Sequence, residues 1–196
     1  VIISKMQQLI WLFFLVILYS SCANRDFSPK PRGFHRIEFP DKEYIKMEEG
    51  CPFTFEIPIY TTLKTDDTKN AGKCWKNLAF PQFNATLHLS YFDIDEKSTF
   101  NKLIEDARTF AFKHTTKATS IDQKKIINTP NNIYGLEYYI QGNTASNYQF
   151  YVSDSTNHYL RGALYFNEKP NLDSIQPVLD FLKTDIEHLI STIRWK

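Results

Sequence analysis

The sequence predicts an α+β fold, a mainly antiparallel sheet flanked by two amphipathic helices. Three observations carry that prediction. Residues 133–141, 147–153 and 158–167 read as three strands in close order, joined by Gly142-Asn143-Thr144-Ala145-Ser146 and Asp154-Ser155-Thr156-Asn157. Connections of four or five turn-forming residues place strands as antiparallel neighbours. Phe100, Leu103, Ile104, Ala107, Phe110, Ala111 and His114 recur at helical spacing, and so do Ile175, Val178, Leu179, Leu182, Ile186, Leu189, Ile190 and Ile193.

The chain has 196 residues and opens on a segment of different character. Lys5 precedes an unbroken apolar run, residues 9–18, followed by Tyr19-Ser20-Ser21-Cys22. As a helix that run would be roughly 15 Å long, too short for a hydrocarbon core of about 30 Å. A basic start, a short apolar core and small residues before the break mark a secretory signal. The Cys right after the small pair reads as a bacterial lipoprotein cleavage site, with Cys22 acylated as the mature N-terminus. The other readings are an ordinary secretory signal with a chance Cys, or a marginal transmembrane anchor. Two or more acyl chains hold a protein on a membrane essentially permanently. The expected layout is therefore a signal segment over 1–21, a proline-rich tether over 22–33 and one globular domain over 34–196. Pro29 and Pro31 hold the tether extended.

A net charge of +1 with no long run of one sign lacks the electrostatic footprint of a nucleic-acid binder. Sixteen Phe, eleven Tyr and three Trp favour strands and a packed core over disorder. With Cys22 set aside for lipid, Cys51 and Cys74 remain, and an oxidising periplasm permits their pairing. A bridge would close the polar stretch 61–73; two buried thiols or a metal pair are the alternatives.

Taken in order, residues 34–40 alternate apolar and polar like an edge strand stopped by Pro40. Residues 53–57 alternate and end at Pro58, and 74–81 form a short aromatic strand or turn. Residues 85–92 place Ala85, Leu87, Leu89 and Tyr91 on one face. The first helix starts near Ser98, with Ser98 or Thr99 as cap. Residues 120–128 form a further strand before the turn Pro130-Asn131-Asn132. In the last helix Ser174 is the expected N-cap, and Lys183, Asp185 and Glu187 face water.

The usual catalytic and nucleotide-binding signatures, G-x-S-x-G, H-E-x-x-H, Walker and dinucleotide loops, are missing. Asp154, Ser155 and His158 have the residue types of a nucleophilic triad, but partners this close on one hairpin point awkwardly, and a turn explains them. His35, His88, His114, His158 and His188 lie on separate elements without ligand spacing, so no metal is expected. Gly142, Asn143 and Ser146 with Gln149, Arg161 and Asn171 remain as a tight loop or as a recognition surface at one end of the sheet.

Several stretches together resemble a known family. They are Pro29-Lys30-Pro31-Arg32-Gly33, Cys51-Pro52-Phe53-Thr54-Phe55-Glu56, Cys74-Trp75, residues 142–146, 149–155 and 158–166, Pro170-Asn171-Leu172-Asp173-Ser174 and Trp195-Lys196. They resemble the gliding-motility lipoprotein GldD family of the Bacteroidetes envelope, nearly throughout the mature chain. The resemblance implies a non-enzymatic lipoprotein needed for gliding and the linked type IX secretion machinery. It implies no cofactor and no catalytic residue, and other envelope lipoproteins as partners. A tether followed by a rigid body with polar loops and no catalytic signature sets a further expectation: Cys22 anchors it at the periplasmic face of the outer membrane, and the loops 142–146 and 154–157 dock the partner. The element order also looks like the Mog1/PsbP-type α/β/α sandwich. Two rival functions are a glycan- or peptide-binding module, suggested by the aromatics, and a hydrolase using Ser155 and His158.

Overall fold

The computed structural model describes residues 36–48, 50–96 and 98–196, together with the isolated positions 7 and 11. The chain forms two compact units, residues 1–36 and 37–196. In the first, Gln7 and Trp11 are helical. The rest of the signal segment, Cys22, the tether and His35 lie outside the described residues. Among the described residues, no helix is long and apolar enough to cross a membrane.

Among its described residues, the second unit holds ten strands: β1 (Tyr44–Met47), β2 (Phe53–Pro58), β3 (Thr62–Thr65), β4 (Lys76–Phe80), β5 (Ala85–Asp93), β6 (Ala118–Asn128), β7 (Ile133–Gly142), β8 (Tyr148–Ser153), β9 (His158–Phe166) and β10 (Arg194–Trp195). Two helices accompany them, α1 (Phe100–Phe112) and α2 (Leu172–Thr192). A seven-stranded sheet has the order β3-β4-β5-β9-β8-β7-β6, and a three-stranded one the order β1-β2-β10. Every recorded strand pair is antiparallel. The expected fold class is the observed one.

Period-two alternation divides the large sheet's side chains between two cores. Leu87 and Leu89 of β5, Leu160 and Leu164 of β9, and Phe150 and Val152 of β8 join Phe53, Phe55 and Ile57 of β2 in the first. Leu179, Leu182, Ile186, Leu189 and Ile190 of α2 complete it. Each such side chain contributes on the order of 1.5–3 kcal/mol when fully buried. On the opposite face, Leu103, Ala107 and Ala111 of α1 cover Tyr138, Ile140, Tyr151 and Tyr159. The two helical stripes read from the sequence are the two packing faces.

Four expectations need correction. Residues 36–40, expected as strand, form no ladder. Pro40 has no N–H to donate, and Phe39 instead stacks on Phe181 with ring centroids 4.5 Å apart. The polar stretch 61–73 contains a strand, β3, which pairs β4 from Thr62↔Ala79 to Thr65↔Lys76. The N-cap of α2 is Asn171, not Ser174, so Pro177 lies inside the helix, one turn deeper than expected. Asp185, expected in water, is 1% exposed. It accepts Tyr44 Oη at 2.8 Å and Tyr60 Oη, and pairs with Lys42 Nζ at 2.7 Å.

Cys51 and Cys74 form a disulfide with Cα atoms 5.7 Å apart. It ties the start of β2 to the approach of β4, so the alternatives of free thiols or a metal pair fall away. Cys74 sits at φ +66°, a left-handed turn that the bridge holds in place.

Candidate functional site

The residues singled out from the sequence fall into three separate groups. In a meander the chain reverses after every strand, so the β7–β8 and β8–β9 connections emerge at opposite ends of the sheet. The loops 142–146 and 154–157 are therefore not one docking surface. This corrects the expectation that grouped them.

At one end, loop 142–146 is occupied with itself. Gly142 takes φ +106°, and a Cβ there would come 2.6 Å from the Lys117 carbonyl oxygen. Asn147 Nδ2 donates to the carbonyls of Ile140 and Gly142 at 2.8 and 2.9 Å. Thr144 Oγ1 donates to the Ser146 carbonyl, and both residues are buried. Asn143 Oδ1 accepts the Leu172 N–H at 2.8 Å, capping α2 from across the fold next to Asn171. Asn143 holds a helix end; replacing it would test stability before recognition.

At the other end, Asp154 Oδ1 accepts the backbone N–H groups of Thr156, Asn157 and His158, each at 2.9 Å. Ser155 takes φ +69° and donates its N–H to Ser153 Oγ at 2.8 Å. His158 Nδ1 lies 2.7 Å from Tyr91 Oη, which itself donates to Asp93, and the imidazole stacks on Trp195 with centroids 5.1 Å apart. These bonds make a hairpin turn and commit His158 elsewhere, so the geometry favours the turn over the triad. Burial works to raise the Asp154 carboxyl, but the three N–H donors outweigh it and hold the group below its ordinary value.

A lowered folded-state value means stability that is complete above the unfolded carboxyl's range and lost as pH falls through the folded value. Asp154→Ala should cost about 1–2 kcal/mol at pH 7. Urea unfolding of parent and variant should converge as the pH is taken below that of an ordinary carboxyl.

The third group lies under α1. Arg161 of β9 and Gln149 of β8 point to the same face, and Arg161 Nη2 donates to Gln149 Oε1 at 2.7 Å. Gln149 is 2% exposed, and its Nε2 has no acceptor. Phe110 lies over the guanidinium, its ring centroid 4.7 Å from Arg161 Cζ. That explains why Phe110, on the predicted apolar stripe, stays 42% exposed: it covers a cation rather than filling the core. Burial pulls Arg161 below its ordinary value, and burial followed by the Arg161 charge does the same to His114 on the turn after α1. Beside the guanidinium is a cavity of about 160 Å³, lined by Phe92, Ser98, Lys102, Leu103, Asp106, Ala107, Phe110 and Tyr159. Among the described residues, no carboxylate lies within 4 Å of Arg161.

A further surface carries no residue singled out from the sequence. β6 is the outer strand of the large sheet, eleven residues long. Ile126 points into the core, while its neighbour Ile127 is 67% exposed. A groove of about 620 Å³ runs beside it against α2, lined by Lys124, Lys125, Ile127, Pro130 and Ile190 among others. The signal was present as Lys124-Lys125-Ile126-Ile127: two consecutive isoleucines on a strand point to opposite faces, so one must leave the core.

A family model described as gliding motility lipoprotein GldD matches residues 24–195. The chain belongs to the GldD family. The match takes in both sheets, both helices, Gln149, Arg161 and the β6 edge, and begins two residues after Cys22. Membership brings the description of a gliding motility lipoprotein, as the resemblance implied. No curated protein matches the chain. Among solved structures, the solution structure of cyanobacterial PsbP (CyanoP) from Synechocystis sp. PCC 6803 aligns with a TM-score of 0.48 and 10% identity. The alignment covers 80% of this chain and 95% of that one.

Proposed function

We propose that this GldD-family lipoprotein is a non-enzymatic docking component of the cell envelope. Cys22 is its lipid-bearing anchor, and the periplasmic face of the outer membrane is where it works. Its body engages a protein of the gliding and type IX secretion apparatus. The observation that carries the proposal is the β6 edge, where an eleven-residue strand ends beside an exposed Ile127 and a groove of about 620 Å³. An open strand edge is a template for a strand from another chain, with main-chain bonds giving affinity and alternate side chains giving selectivity. Lys125, exposed and without a carboxylate within 4 Å among the described residues, suits an incoming strand with an acidic residue opposite it.

Ile127→Lys tests the reading, because a charge at an exposed position changes the edge and not the core. Stability should stay within about 0.5 kcal/mol of the parent. Cells carrying it should hold normal amounts of the protein in the membrane fraction yet fail to glide. Normal gliding by that strain would remove the β6 edge from the account.

A further inference from the structure

We propose that the cavity beneath α1 binds a carboxylate, with Arg161 as its receiving group and Phe92, Leu103 and Tyr159 holding the short apolar stem behind it. This site is separate from the β6 edge and stands or falls independently of it.

The cluster holds donors that the fold does not use. A guanidinium offers N–H groups in a planar fork, and among the described residues only one bond, to Gln149 Oε1, goes to a protein acceptor. Gln149 spends its own acceptor there, which leaves Nε2, buried with no partner, as a second unspent donor in the same cluster. Arg161 is half-buried, and a partly desolvated cation without a counter-charge is costly, so such cations are ordinarily paired. Here the pairing position opens onto a cavity of about 160 Å³ instead of a carboxylate side chain. The neighbours of Arg161 add donors or apolar surface: Phe110 above it, His114 on the following turn and Ser98 across the cavity.

Among the described residues, Asp106 is the one acid lining the cavity, and it makes no ion pair with Arg161 within 4 Å. Its position bears on the class of ligand. A dianionic phosphate would meet the Asp106 charge at close range, whereas a monoanion meets half the repulsion. The walls decide further in the same direction, since Phe92, Leu103, Ala107, Phe110 and Tyr159 offer carbon and ring surface. A planar carboxylate matches the guanidinium fork with two parallel bonds. A carboxylate carrying two or three carbons therefore fits where a compact, strongly hydrated anion does not. Such a group comes from a free short-chain acid or from the C-terminus of a polypeptide.

The test titrates the full chain in detergent micelles by calorimetry. The probes are propionate, a tripeptide ending in alanine with a free C-terminus, the same tripeptide amidated, and inorganic phosphate. Propionate and the free-acid peptide should bind, and the amide and phosphate should not. Tighter binding of the free-acid peptide than of propionate identifies a chain terminus as the source; equal binding identifies a free acid. Arg161→Met should abolish binding, and Arg161→Lys, which keeps charge but loses the fork, should weaken it by about tenfold or more. Should Arg161→Met fail to fold, the parent chain still decides: the Arg161 Nε resonance, assigned by its absence from Arg161→Lys, should shift as propionate is added. No binding by any carboxylate, equal binding of acid and amide, preference for phosphate, or an unmoved Nε resonance would each overturn the proposal.

Discussion

Asp185→Ala should be the most damaging single substitution of a polar residue in this protein, lowering unfolding free energy by about 3–5 kcal/mol. Asp185 lies on the buried face of α2 between Leu182 and Leu189, 1% exposed. Its two carboxylate oxygens receive Tyr44 from β1, Tyr60 from the turn after β2 and Lys42 ahead of β1. The Lys42 amine also donates to the Phe181 carbonyl at 2.9 Å and sits 3.4 Å from the Phe181 ring centroid. Burial, and then the bond to Asp185, hold both tyrosine hydroxyls above their ordinary values, so they remain donors across the physiological range. Alanine leaves two hydroxyls and an ammonium facing a void at the junction of α2 with the small sheet. Asp185→Asn should lose less, because its amide oxygen still accepts from one tyrosine. Replacing the whole cluster by apolar groups (Tyr44→Phe, Tyr60→Phe and Asp185→Leu together) should recover much of the loss, since the penalty comes from orphaned partners rather than from missing attraction. Urea unfolding of the three variants gives the ranking. Equal losses in Ala and Asn variants would mean that the carboxylate does not organise this junction.

That cluster also shows where sequence reasoning stops. The stripes of α1 and α2 were legible because their period is local and their apolar residues are unbroken. The β7–β8–β9 meander was legible because short turns force adjacency. Asp185 was not, because it stands between Lys183 and Glu187 and looks like part of a charged face. Only the distant Tyr44 and Tyr60 make it an interior residue. β3 and β10 escaped for a similar reason: each is short, and each exists through a partner strand, β4 or β2, that supplies its hydrogen bonds.

The candidate site divides along the same line. Gln149 and Arg161 were grouped with the loop 142–146 and Asn171 as one surface at a sheet end; they meet each other under α1 instead. The covering of that pair by α1, and with it the cavity, depends on a tertiary placement that no spacing encodes. The opposite placement of the loops 142–146 and 154–157, by contrast, was implicit in the meander. Strands that reverse at each turn send alternate turns to alternate ends, so Asn143 and Asp154 are separated by the length of β8. The two loops therefore serve as caps and turns, and the proposed recognition lies elsewhere, at the sheet's outer edge and under α1.

Removal of the Cys51–Cys74 bridge is expected to cost about 3 kcal/mol in the chain-entropy model, given a sequence separation of 23. The structure says where the loss should be felt. Cys51 is 5% exposed and packs in the same core as Phe53 and Phe55, while Cys74 precedes Trp75, whose Nε1 donates to the Tyr91 carbonyl at 3.0 Å. The bridged segment carries β2, the central strand of the small sheet, and β3, an edge of the large one. Beyond the bridge, this segment is held by the ladders of β2 with β1 and β10, by the packing of β2 on α2 and by the short β3–β4 ladder. The paired substitution Cys51→Ala and Cys74→Ala keeps the core free of new polar atoms, so its effect isolates the cross-link. It should lower the unfolding midpoint and raise hydrogen exchange in β3 and β4 first, with β7, β8 and β9 protected as before. A reductant applied to the parent should reproduce the shift. Equal stability with and without the bridge would show that the packing of β2 against α2 alone fixes this corner of the fold.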